Sequence, residues 1–393
     1  MSAKKRSQKS NRRAGGTHEV LPALASLTEM PEFTQLRADT NQLNAYKQVV
    51  DDLVAKQEMS SAELDLGCVV RLDRGFPAVL CEDKVFRCEY ATTLSKAKVS
   101  VCVGDWVCVR RPSTHDKGLI VSLLPRRNEV SRWRGGKRGE IQVLAANVDK
   151  VLVAQPLGSK TLSCERIVRS AVVAYDCGCS VTVVLTKADL CKTAAKLKDE
   201  IGLLQDILAG KIEIVVTAAK SSDQNLLDEL KEACSEMGAG WGRQGVIDCV
   251  RPGQVGIVLG ESGAGKSTLL NDLLGKAALE TGSVRQKDGA GRHTTVARRM
   301  VKIPGGGVIV DEPGLRSLPV LGHERGLAQA FPDIAVHAPD CKFRDCTHTQ
   351  EPGCAVIQAF EDGEFSKNRL DNYLFLANEM RSNSDSLDPD III

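Results

Sequence analysis

Residues 256–270 read GIVLGESGAGKSTLL, a short apolar run followed by a glycine-rich loop and the first turns of a helical pattern. Within this stretch, residues 260–267 match G-x-x-x-x-G-K-[ST], the phosphate-binding loop (P-loop). Glycines let successive backbone N–H groups turn toward an anion, and the helix that begins at Lys266 adds the positive end of its dipole. We therefore predict that this loop binds the phosphates of a nucleotide.

Two side chains of the loop have separate predicted tasks. Lys266 should reach the β- and γ-phosphates, and the Ser267 hydroxyl should bind Mg²⁺. The alternative, a glycine turn with no ligand, is disfavoured by the strand and helix that flank the motif. The predicted nucleotide contacts from this region are Gly260, Glu261, Ser262, Gly263, Ala264, Gly265, Lys266, Ser267 and Thr268.

Length and composition narrow the class of protein. A chain of 393 residues suggests two to four domains, each able to bury a core. We expect no membrane partner and a cytoplasmic location, because no apolar run is long enough to span a bilayer and the N-terminus lacks a signal-peptide pattern. The 14 cysteines are mostly scattered through apparent strands, which indicates buried thiols in a reducing compartment rather than a disulfide framework.

Positive charge is concentrated at the N-terminus. Residues 1–60 are predicted to form a basic and helical extension whose first 13 residues contain six lysines or arginines and no acid. Such a segment is either a solvated tail or an arm that binds a polyanion such as RNA. The helical pattern of residues 36–59 suggests no role.

Short β runs separated by turn signals occupy residues 61–125. About five strands in 60 residues fit a small closed barrel, for which the OB-fold, a frequent binder of RNA, is our leading prediction. The alternative is a barrel that serves only for packing.

Residues 126–140 follow as a basic linker in which Trp133 could stack on an unpaired base, unless the linker is simply flexible. The basic residues around Trp133 are Arg126, Arg127, Arg132, Arg134, Lys137 and Arg138.

Strands alternate with helical patterns over residues 141–318, which predicts an α/β domain with a mainly parallel sheet. Three further loops follow predicted strands or helices in this region: TKAD at residues 186–189, TA at 217–218 and DEPG at 311–314. A fourth, GRHTT at 291–295, lies after the P-loop helix. The carboxyl ends of parallel strands share one edge of a sheet, so these loops should gather there.

Together these loops resemble the five nucleotide-binding loops of a Ras-like GTPase, in a circularly permuted order with the base-reading loops first. With the barrel and a C-terminal cysteine cluster, the chain resembles the RsgA (YjeQ) family of small ribosomal subunit biogenesis GTPases over residues 67–380 or so. The resemblance implies a fold of three parts: an OB-fold barrel, a permuted P-loop GTPase domain and a zinc-binding domain with helices.

The resemblance also assigns roles to single residues. Asp189 would accept hydrogen bonds from guanine and Lys187 would pack over the base, whereas Thr186 replaces the usual asparagine with a hydroxyl that can bridge loops less well. Thr217 and Ala218 would complete the base site. Thr294 or Thr295 would bind Mg²⁺ and the γ-phosphate. Asp311 would be the carboxylate in the second shell of Mg²⁺, and the Gly314 N–H would contact the γ-phosphate. Glu312, where the family has threonine, is expected to point to solvent.

A cluster of soft ligands lies near the C-terminus, in the segment 319–381 that precedes a tail at 382–393. Cys341, Cys346, His348 and Cys354 have the spacing C-x4-C-x-H-x5-C in a core-poor segment. This donor set predicts one structural zinc ion per chain, with unmetallated thiols as the alternative. His323 and His337 fall outside the spacing and are expected to be packing or surface residues.

Catalysis requires a group that orients water. Leu315 follows the DEPG motif where Ras-like enzymes have glutamine, so His293 in the GRHTT loop is the predicted catalytic residue, or else a brace for that loop. We expect slow intrinsic hydrolysis of GTP to GDP that the small ribosomal subunit and its rRNA stimulate, by a monomeric protein. Two alternatives remain: a nucleotide-regulated RNA-binding scaffold and an adenine-nucleotide hydrolase.

Overall fold

A computed structural model of the chain describes residues 29–385, apart from residues 57–58, 74–75, 98, 112–116, 135–139, 159–161, 211, 219–222, 276–297, 312–319 and 321. The described residues form a barrel, an α/β domain and a C-terminal helical segment. One 12-stranded sheet runs through both the barrel and the α/β domain.

The N-terminal barrel contains five strands. β1 bends at an irregular register between Val69 and Arg71 and pairs with both β2 and β4, which closes the barrel in the order β1-β2-β3-β5-β4. Strands β3 and β5 are parallel, and the other pairs are antiparallel. This closed barrel confirms the predicted OB-fold. Its elements are β1 (Leu64–Asp73), β2 (Phe76–Leu80), β3 (Val85–Tyr90), α2 (Thr92–Lys96), β4 (Trp106–Arg110) and β5 (Lys117–Leu123).

Small apolar side chains and thiols fill the barrel. Val69, Val79 and Ile120 are fully buried beside the thiols of Cys88 and Cys81. Burial raises the pKa of the Cys88 thiol to about 12, so it stays protonated at neutral pH. The scattered cysteines in this barrel are therefore core residues, as their positions in apolar runs predicted.

The α/β domain is built on a seven-stranded part of the sheet. Strands β11, β10, β9, β8, β12 and β14 are parallel in that spatial order, and β13 adds antiparallel to β14. All five residues of β12 are buried, because helices cover both faces of the sheet. The strands are β8 (Lys150–Pro156), β9 (Ser180–Thr186), β10 (Glu213–Val216), β11 (Gly240–Trp241), β12 (Val255–Leu259), β13 (Arg298–Lys302) and β14 (Val308–Asp311).

The described part of this domain contains the helices α3 (Cys164–Asp176), α4 (Ala194–Ile207), α5 (Gln224–Glu236), α6 (Gly242–Cys249) and α7 (Lys266–Leu274). The chain progresses outward from β8 through β9, β10 and β11, and then returns to β12 on the other side of β8. The order of the strands therefore reverses between β8 and β12, and a crevice at such a switch point is where open α/β sheets bind ligands.

The barrel and the α/β domain are continuous through strand pairing. β13 pairs with β14 on one side and with β1 on the other, at Arg71↔Arg299 and Leu72↔Arg298. The segment predicted as a basic linker contains β6 (Glu129–Arg134), which forms a separate antiparallel hairpin with β7 (Glu140–Ala146). Backbone pairing thus orders residues 129–134 of a stretch whose composition resembles a linker.

The N-terminal helix α1 (Thr40–Ala55) packs at the junction between the two domains. Asp39 caps it by accepting a hydrogen bond from the Gln42 N–H, and the Gln42 side-chain oxygen accepts one from the Asp39 N–H. Gln42 is almost fully buried, and Tyr46 donates to the Leu64 carbonyl at the start of β1. The sequence suggested no role for this helix, and the structure shows that it packs against the barrel.

The C-terminal segment docks on helices α3 and α4. Arg369 is 2% exposed and bridges Asp333 to the Ile207 and Ala330 carbonyls, with its guanidinium 4.7 Å from the Phe331 ring centroid. Gly326 lets two helices approach closely, because a Cβ there would lie 2.1 Å from the Val172 carbonyl oxygen. The elements are α8 (Glu324–Ala330), α9 (Pro332–Ala335), α10 (Ala355–Glu361) and α11 (Lys367–Asp385).

Among the helices described, none combines the length and apolar character that crossing a membrane would require.

Candidate nucleotide site and metal centre

The P-loop connects the buried strand β12 to helix α7 at the switch point of the sheet. Gly263 and Gly265 have φ angles of 86° and 89°, in the left-handed region that favours glycine. A Cβ on Gly260 would lie 2.6 Å from the Ala154 carbonyl oxygen of β8. The loop can therefore take this tight course only with glycine at these positions.

Lys266, the first residue of α7, folds back over the loop. Its Nζ donates to the Gly260 carbonyl at 2.5 Å and to the Glu261 carbonyl at 3.0 Å. The ammonium group is thus held above the backbone N–H groups of the glycine-rich turn, where an anion would bind.

The TKAD loop after β9 is tied directly to the P-loop. The Thr186 hydroxyl, only 4% exposed, donates to the Ala264 carbonyl at 2.7 Å. Lys187 has a φ of 59°, and its Nζ donates to the Gly263 carbonyl at 2.7 Å. Two side-chain bonds therefore fix this loop against the phosphate-binding turn.

The third loop joins the same edge. The Ala188 N–H donates to the Thr217 carbonyl at 3.0 Å, which sets the TKAD loop beside Thr217 and Ala218. Asp189 lies half-buried in the single 3₁₀ turn Ala188–Leu190, between these loops. The structure therefore brings together the predicted base-reading residues and the P-loop from three separate strands.

Thr186 connects two of the loops through one hydrogen bond. A hydroxyl was expected to bridge less well than the asparagine amide, and here it donates to the buried Ala264 carbonyl of the P-loop. Its Oγ1 also lies 3.1 Å from the position that a Cβ on Gly265 would take. The Thr186 hydroxyl thus donates between the two loops, and the small threonine side chain fits in the narrow space beside Gly265.

Asp311 ends β14 opposite Val258 of β12, next to the P-loop strand. Burial raises the pKa of its carboxyl, while Arg299 and Lys266 oppose this rise through their charges. A carboxylate in this half-buried position faces the Lys266 side of the site, where a cation bound to nucleotide phosphates would lie.

Several predicted residues lie outside the part of the chain that the structure describes. His293, Thr294 and Thr295 fall in residues 276–297, and Gly314 falls in residues 312–319, as do Glu312 and Leu315. Their predicted roles stay predictions.

Two charged residues near the site have no motif that would have revealed them. Arg166, in the first turn of α3, forms an ion pair of 2.6 Å with Glu261 of the P-loop. Arg299 lies opposite Asp311 in the antiparallel pair of β13 and β14. Both contacts depend on register and on residues distant in sequence, so local patterns do not indicate them.

The C-terminal cluster brings four metal-binding groups together. The ligand atoms of Cys341, Cys346, His348 and Cys354 all lie within 4.8 Å of one another. His348 Nδ1 is 3.5 Å from Cys341 Sγ and 3.4 Å from Cys354 Sγ, and the two sulfurs are 3.8 Å apart. These four groups could bind one metal ion.

Local backbone structure holds the four groups in place. His348 has a φ of 59°, and Glu351 accepts hydrogen bonds from the Thr347, Thr349 and Gln350 N–H groups, which shapes the loop around it. Cys354 caps α10 by accepting from the Ile357 N–H at 3.5 Å. Burial, with the charge of Arg381, lowers the pKa of His348, so its imidazole is neutral and can act as a ligand.

The two other histidines of this region make different contacts. His323 Nδ1 lies 2.9 Å from Asp176 of α3, and His337 Nε2 lies 3.0 Å from Glu364. Both are outside the metal-binding group, as their spacing predicted.

Comparison with known proteins adds independent findings. Residues 123–321 match the family model described as RsgA GTPase. A small ribosomal subunit biogenesis GTPase RsgA from Streptomyces avermitilis is 38% identical over 80% of this chain and 79% of its own length. The RsgA of Methanosarcina acetivorans is 33% identical over 77% of this chain and 76% of its own.

Two solved structures share the fold. The crystal structure of YjeQ from Thermotoga maritima superposes with a TM-score of 0.58 and 24% identity, covering 81% of this chain and 99% of that one. The structure of YloQ, described as a circularly permuted GTPase, gives a TM-score of 0.55 and 24% identity over 81% and 96%. The chain therefore shares its fold with YjeQ and with YloQ.

Proposed function

Because the chain belongs to the RsgA GTPase family, we propose that it hydrolyses GTP to GDP and phosphate in the assembly of the small ribosomal subunit. The observation that carries the nucleotide part is the pair of bonds from Thr186 and Lys187 to the P-loop carbonyls. They join a base-reading loop to a phosphate-binding loop in one site.

The described residues account for nucleotide binding. Asp189 would accept hydrogen bonds from the two donors that guanine presents and adenine lacks on that edge. Lys187, held over the loop, would pack on the base. On arrival of a triphosphate, Lys266 Nζ would exchange its bonds to the Gly260 and Glu261 carbonyls for the β- and γ-phosphate oxygens.

The Ser267 hydroxyl and the Asp311 carboxylate are the residues that would hold Mg²⁺. When bound, this ion would neutralise charge on the phosphate oxygens. Thr294 or Thr295 and the Gly314 N–H would add contacts to the γ-phosphate, and His293 would orient the attacking water. Because a loop that carries the water-positioning group can be completed by a partner, we propose slow turnover alone and faster turnover on the subunit.

The C-terminal cluster fits a structural zinc ion. Three thiolates and a neutral imidazole form the donor set that tetrahedral zinc prefers. Ligands at zinc-bond lengths would be separated by about 3.5–3.8 Å. The three separations among Cys341, His348 and Cys354 are 3.4–3.8 Å, and all four ligand atoms, with that of Cys346, lie within 4.8 Å of one another. The four residues would close the coordination sphere, which favours a role in folding rather than catalysis.

The partner would be rRNA of the small subunit, in the cytoplasm where these subunits are assembled, and the protein would act as a monomer. The OB-fold barrel supports this proposal, because such barrels bind single-stranded RNA. The basic residues among the first 13 would add contacts to phosphates.

Binding of GTP and ATP to the parent and to an Asp189→Asn variant tests the guanine proposal. The parent should prefer GTP strongly, and the variant should lose that preference while it still binds triphosphate through Lys266. Comparable affinity of the parent for ATP and GTP would contradict guanine selectivity and favour an adenine-nucleotide hydrolase. Co-sedimentation of the parent with small subunits tests the partner, and no binding in low salt would contradict it.

A further inference from the structure

The segment that precedes and begins α1 contacts three parts of the molecule at once. We call residues 29–46 the clasp. The Phe33 ring packs edge-on against Trp106 of the barrel at 5.7 Å between centroids, and Leu36 is buried beside it. The clasp thus has one firm attachment on β4.

A second attachment is a buried polar network. Gln42, 2% exposed, donates from Nε2 to the Pro125 carbonyl at 3.0 Å and to Asn147 Oδ1 at 2.9 Å. Asn147, with a φ of 56°, donates in turn to the Gly104 carbonyl at 2.9 Å. Because buried polar groups that lose partners are costly, this network fixes the clasp to the point where the barrel meets the α/β domain.

The third attachment is to β13. The Lys302 N–H donates to the Glu29 carbonyl at 2.8 Å, and Lys302 Nζ pairs with Glu32 at 2.6 Å. Arg299 lies 4.0 Å from the Glu29 carboxylate. The clasp therefore contacts β13 at Arg299 and at Lys302. The same short strand pairs with β1 of the barrel and with β14 of the nucleotide-binding domain.

Arg299 lies between two acids. On β13 it is directly opposite Asp311, and residues that face each other in an antiparallel pair share a face of the sheet with Cβ atoms about 5 Å apart. On the other side of its strand is Arg71, which is itself paired with Asp73 at 2.7 Å. The positive charge of Arg299 is thus balanced by Asp311 and by Glu29, one from the nucleotide site and one from the clasp.

We infer that the clasp sets the position of β13, and that Arg299 is a positioning residue through which this strand holds Asp311 and couples the barrel to the nucleotide site. This inference rests on the proposed function and adds a means of regulation to it. Binding or loss of the γ-phosphate would move the Asp311 carboxylate and so alter its attraction to Arg299. Arg299 and β13 would then move, and the clasp would transmit this movement to the barrel. By reciprocity, RNA bound to the barrel would change nucleotide affinity.

The experiment measures how strongly a nucleotide changes affinity for small ribosomal subunits. The coupling factor is the ratio of subunit affinities with a non-hydrolysable GTP analogue and with GDP, measured for the parent, for Glu29→Gln with Glu32→Gln, and for Arg299→Met. Glu89→Gln is the matched control, because Glu89 forms a comparable exposed ion pair with Lys117 of the barrel, away from β13.

We expect the clasp pair to bind GTP as the parent does, because Glu29 and Glu32 pair with β13 rather than with the P-loop. Arg299→Met should bind GTP more weakly, since it loosens Asp311, so its subunit affinities are measured at saturating nucleotide. In both, the coupling factor should fall by about fivefold or more, toward one. Arg299→Lys, which retains the charge, should restore part of the factor, and Glu89→Gln should match the parent. A coupling factor equal to that of the parent in both the clasp pair and Arg299→Met would overturn the inference. If the clasp pair does not fold, a coupling factor equal to that of the parent in Arg299→Met alone would overturn it.

Hydrogen exchange separates failure of this inference from failure of the proposed function. In the parent without ribosomes, the backbone N–H groups of residues 298–302 should exchange at different rates with GDP and with the GTP analogue. If the parent does not bind small subunits but shows this difference, the proposed partner is wrong and the coupling through β13 stands. Identical exchange in both nucleotide states would overturn the coupling.

Discussion

Thr186 shows at the scale of one residue how a substitution within a motif can keep its physical task. The sequence identified the TKAD loop from its pattern, but the pattern alone suggested that a hydroxyl would connect two loops poorly. The structure gives this hydroxyl a short bond to a buried carbonyl, and its small size fits against Gly265. What residue type alone could not indicate was the partner, since it lies 78 residues away in the chain.

Thr186→Val tests this connection. Valine keeps the shape but leaves the Ala264 carbonyl unpaired, which costs about 1–3 kcal/mol when the group is buried. We expect GTP affinity to fall by about tenfold, since part of that cost appears in the loop that binds the nucleotide. Titration with a fluorescent GTP analogue measures the effect.

Thr182→Val is the matched control for this variant. Thr182 lies on the same strand, is fully buried and donates to Glu213 at 2.9 Å, away from the P-loop. It should lower stability without changing nucleotide affinity. Equal GTP affinity in Thr186→Val and Thr182→Val would show that the bond between the loops does not support the site.

Other residues of the site could not have been predicted individually. The P-loop, Asp189 and the four metal-binding residues stand in recognisable spacings, because their chemistry fixes the distance between them. Arg299 and Arg166 have no such spacing: each meets its acid through the register of a sheet or the packing of a helix on a loop. Their positions follow only from the folded chain.

At the scale of elements, the strands and helices of the α/β domain followed from periodicity, and the barrel from short β runs. The hairpin of β6 and β7 did not, because a stretch rich in arginine and glycine resembles a linker and the apolar alternation within β6 is brief. The docking of the C-terminal helices also escaped prediction. It depends on the buried Arg369 and on Gly326, which contact parts of the chain far away in sequence.

The metal-binding loop offers a test of one such element. Cys346→Ser should reduce the bound zinc to well below one ion per chain and loosen residues 331–365, because four ligands replace a larger apolar core there. GTP affinity should remain near that of the parent, since the four metal-binding residues belong to the C-terminal segment and the nucleotide loops to the α/β domain. Elemental analysis of protein purified without chelator measures the metal, and no stoichiometric metal in the parent would end the zinc proposal.

The ion pair between Arg369 and Asp333 predicts a loss of stability on removal of one partner. Asp333→Asn leaves the buried guanidinium without its counter-ion, which should lower the free energy of unfolding by about 3 kcal/mol. Glu364→Gln, which breaks the exposed pair with His337, should change it by less than about 1 kcal/mol. Urea denaturation compares the two, and equal midpoints would contradict a role for the buried pair.

The same pair predicts a dependence on pH. Burial opposes ionisation of Asp333, but Arg369 outweighs it and lowers the pKa of the carboxyl below its ordinary value. A lowered folded-state pKa contributes stability that is fully present above the ordinary value and is lost as the pH falls through the folded value. The stability difference between parent and Asp333→Asn should therefore shrink on acidification below about pH 4.

At the scale of the whole molecule, circular permutation changes what the nucleotide site is connected to. The order of the loops in the sequence predicted this rearrangement, and the sheet confirms it in the return from β11 to β12. Because the base-reading loops come first, β14 and the Asp311 that ends it are followed along the chain by the C-terminal segment. β13 meanwhile joins the barrel. The barrel is thus attached to the nucleotide-binding domain through β13, and the C-terminal segment follows β14 in the chain.

We propose that this GTPase depends on the small ribosomal subunit for its turnover. The most direct test is steady-state GTP hydrolysis by the parent alone, with purified small subunits and with large subunits, beside a Lys266→Ala variant that should not turn over in any of them. We predict that the parent hydrolyses GTP slowly by itself, that small subunits stimulate hydrolysis strongly and that large subunits stimulate it little. Equal turnover with and without small subunits, across low and physiological salt, would contradict it.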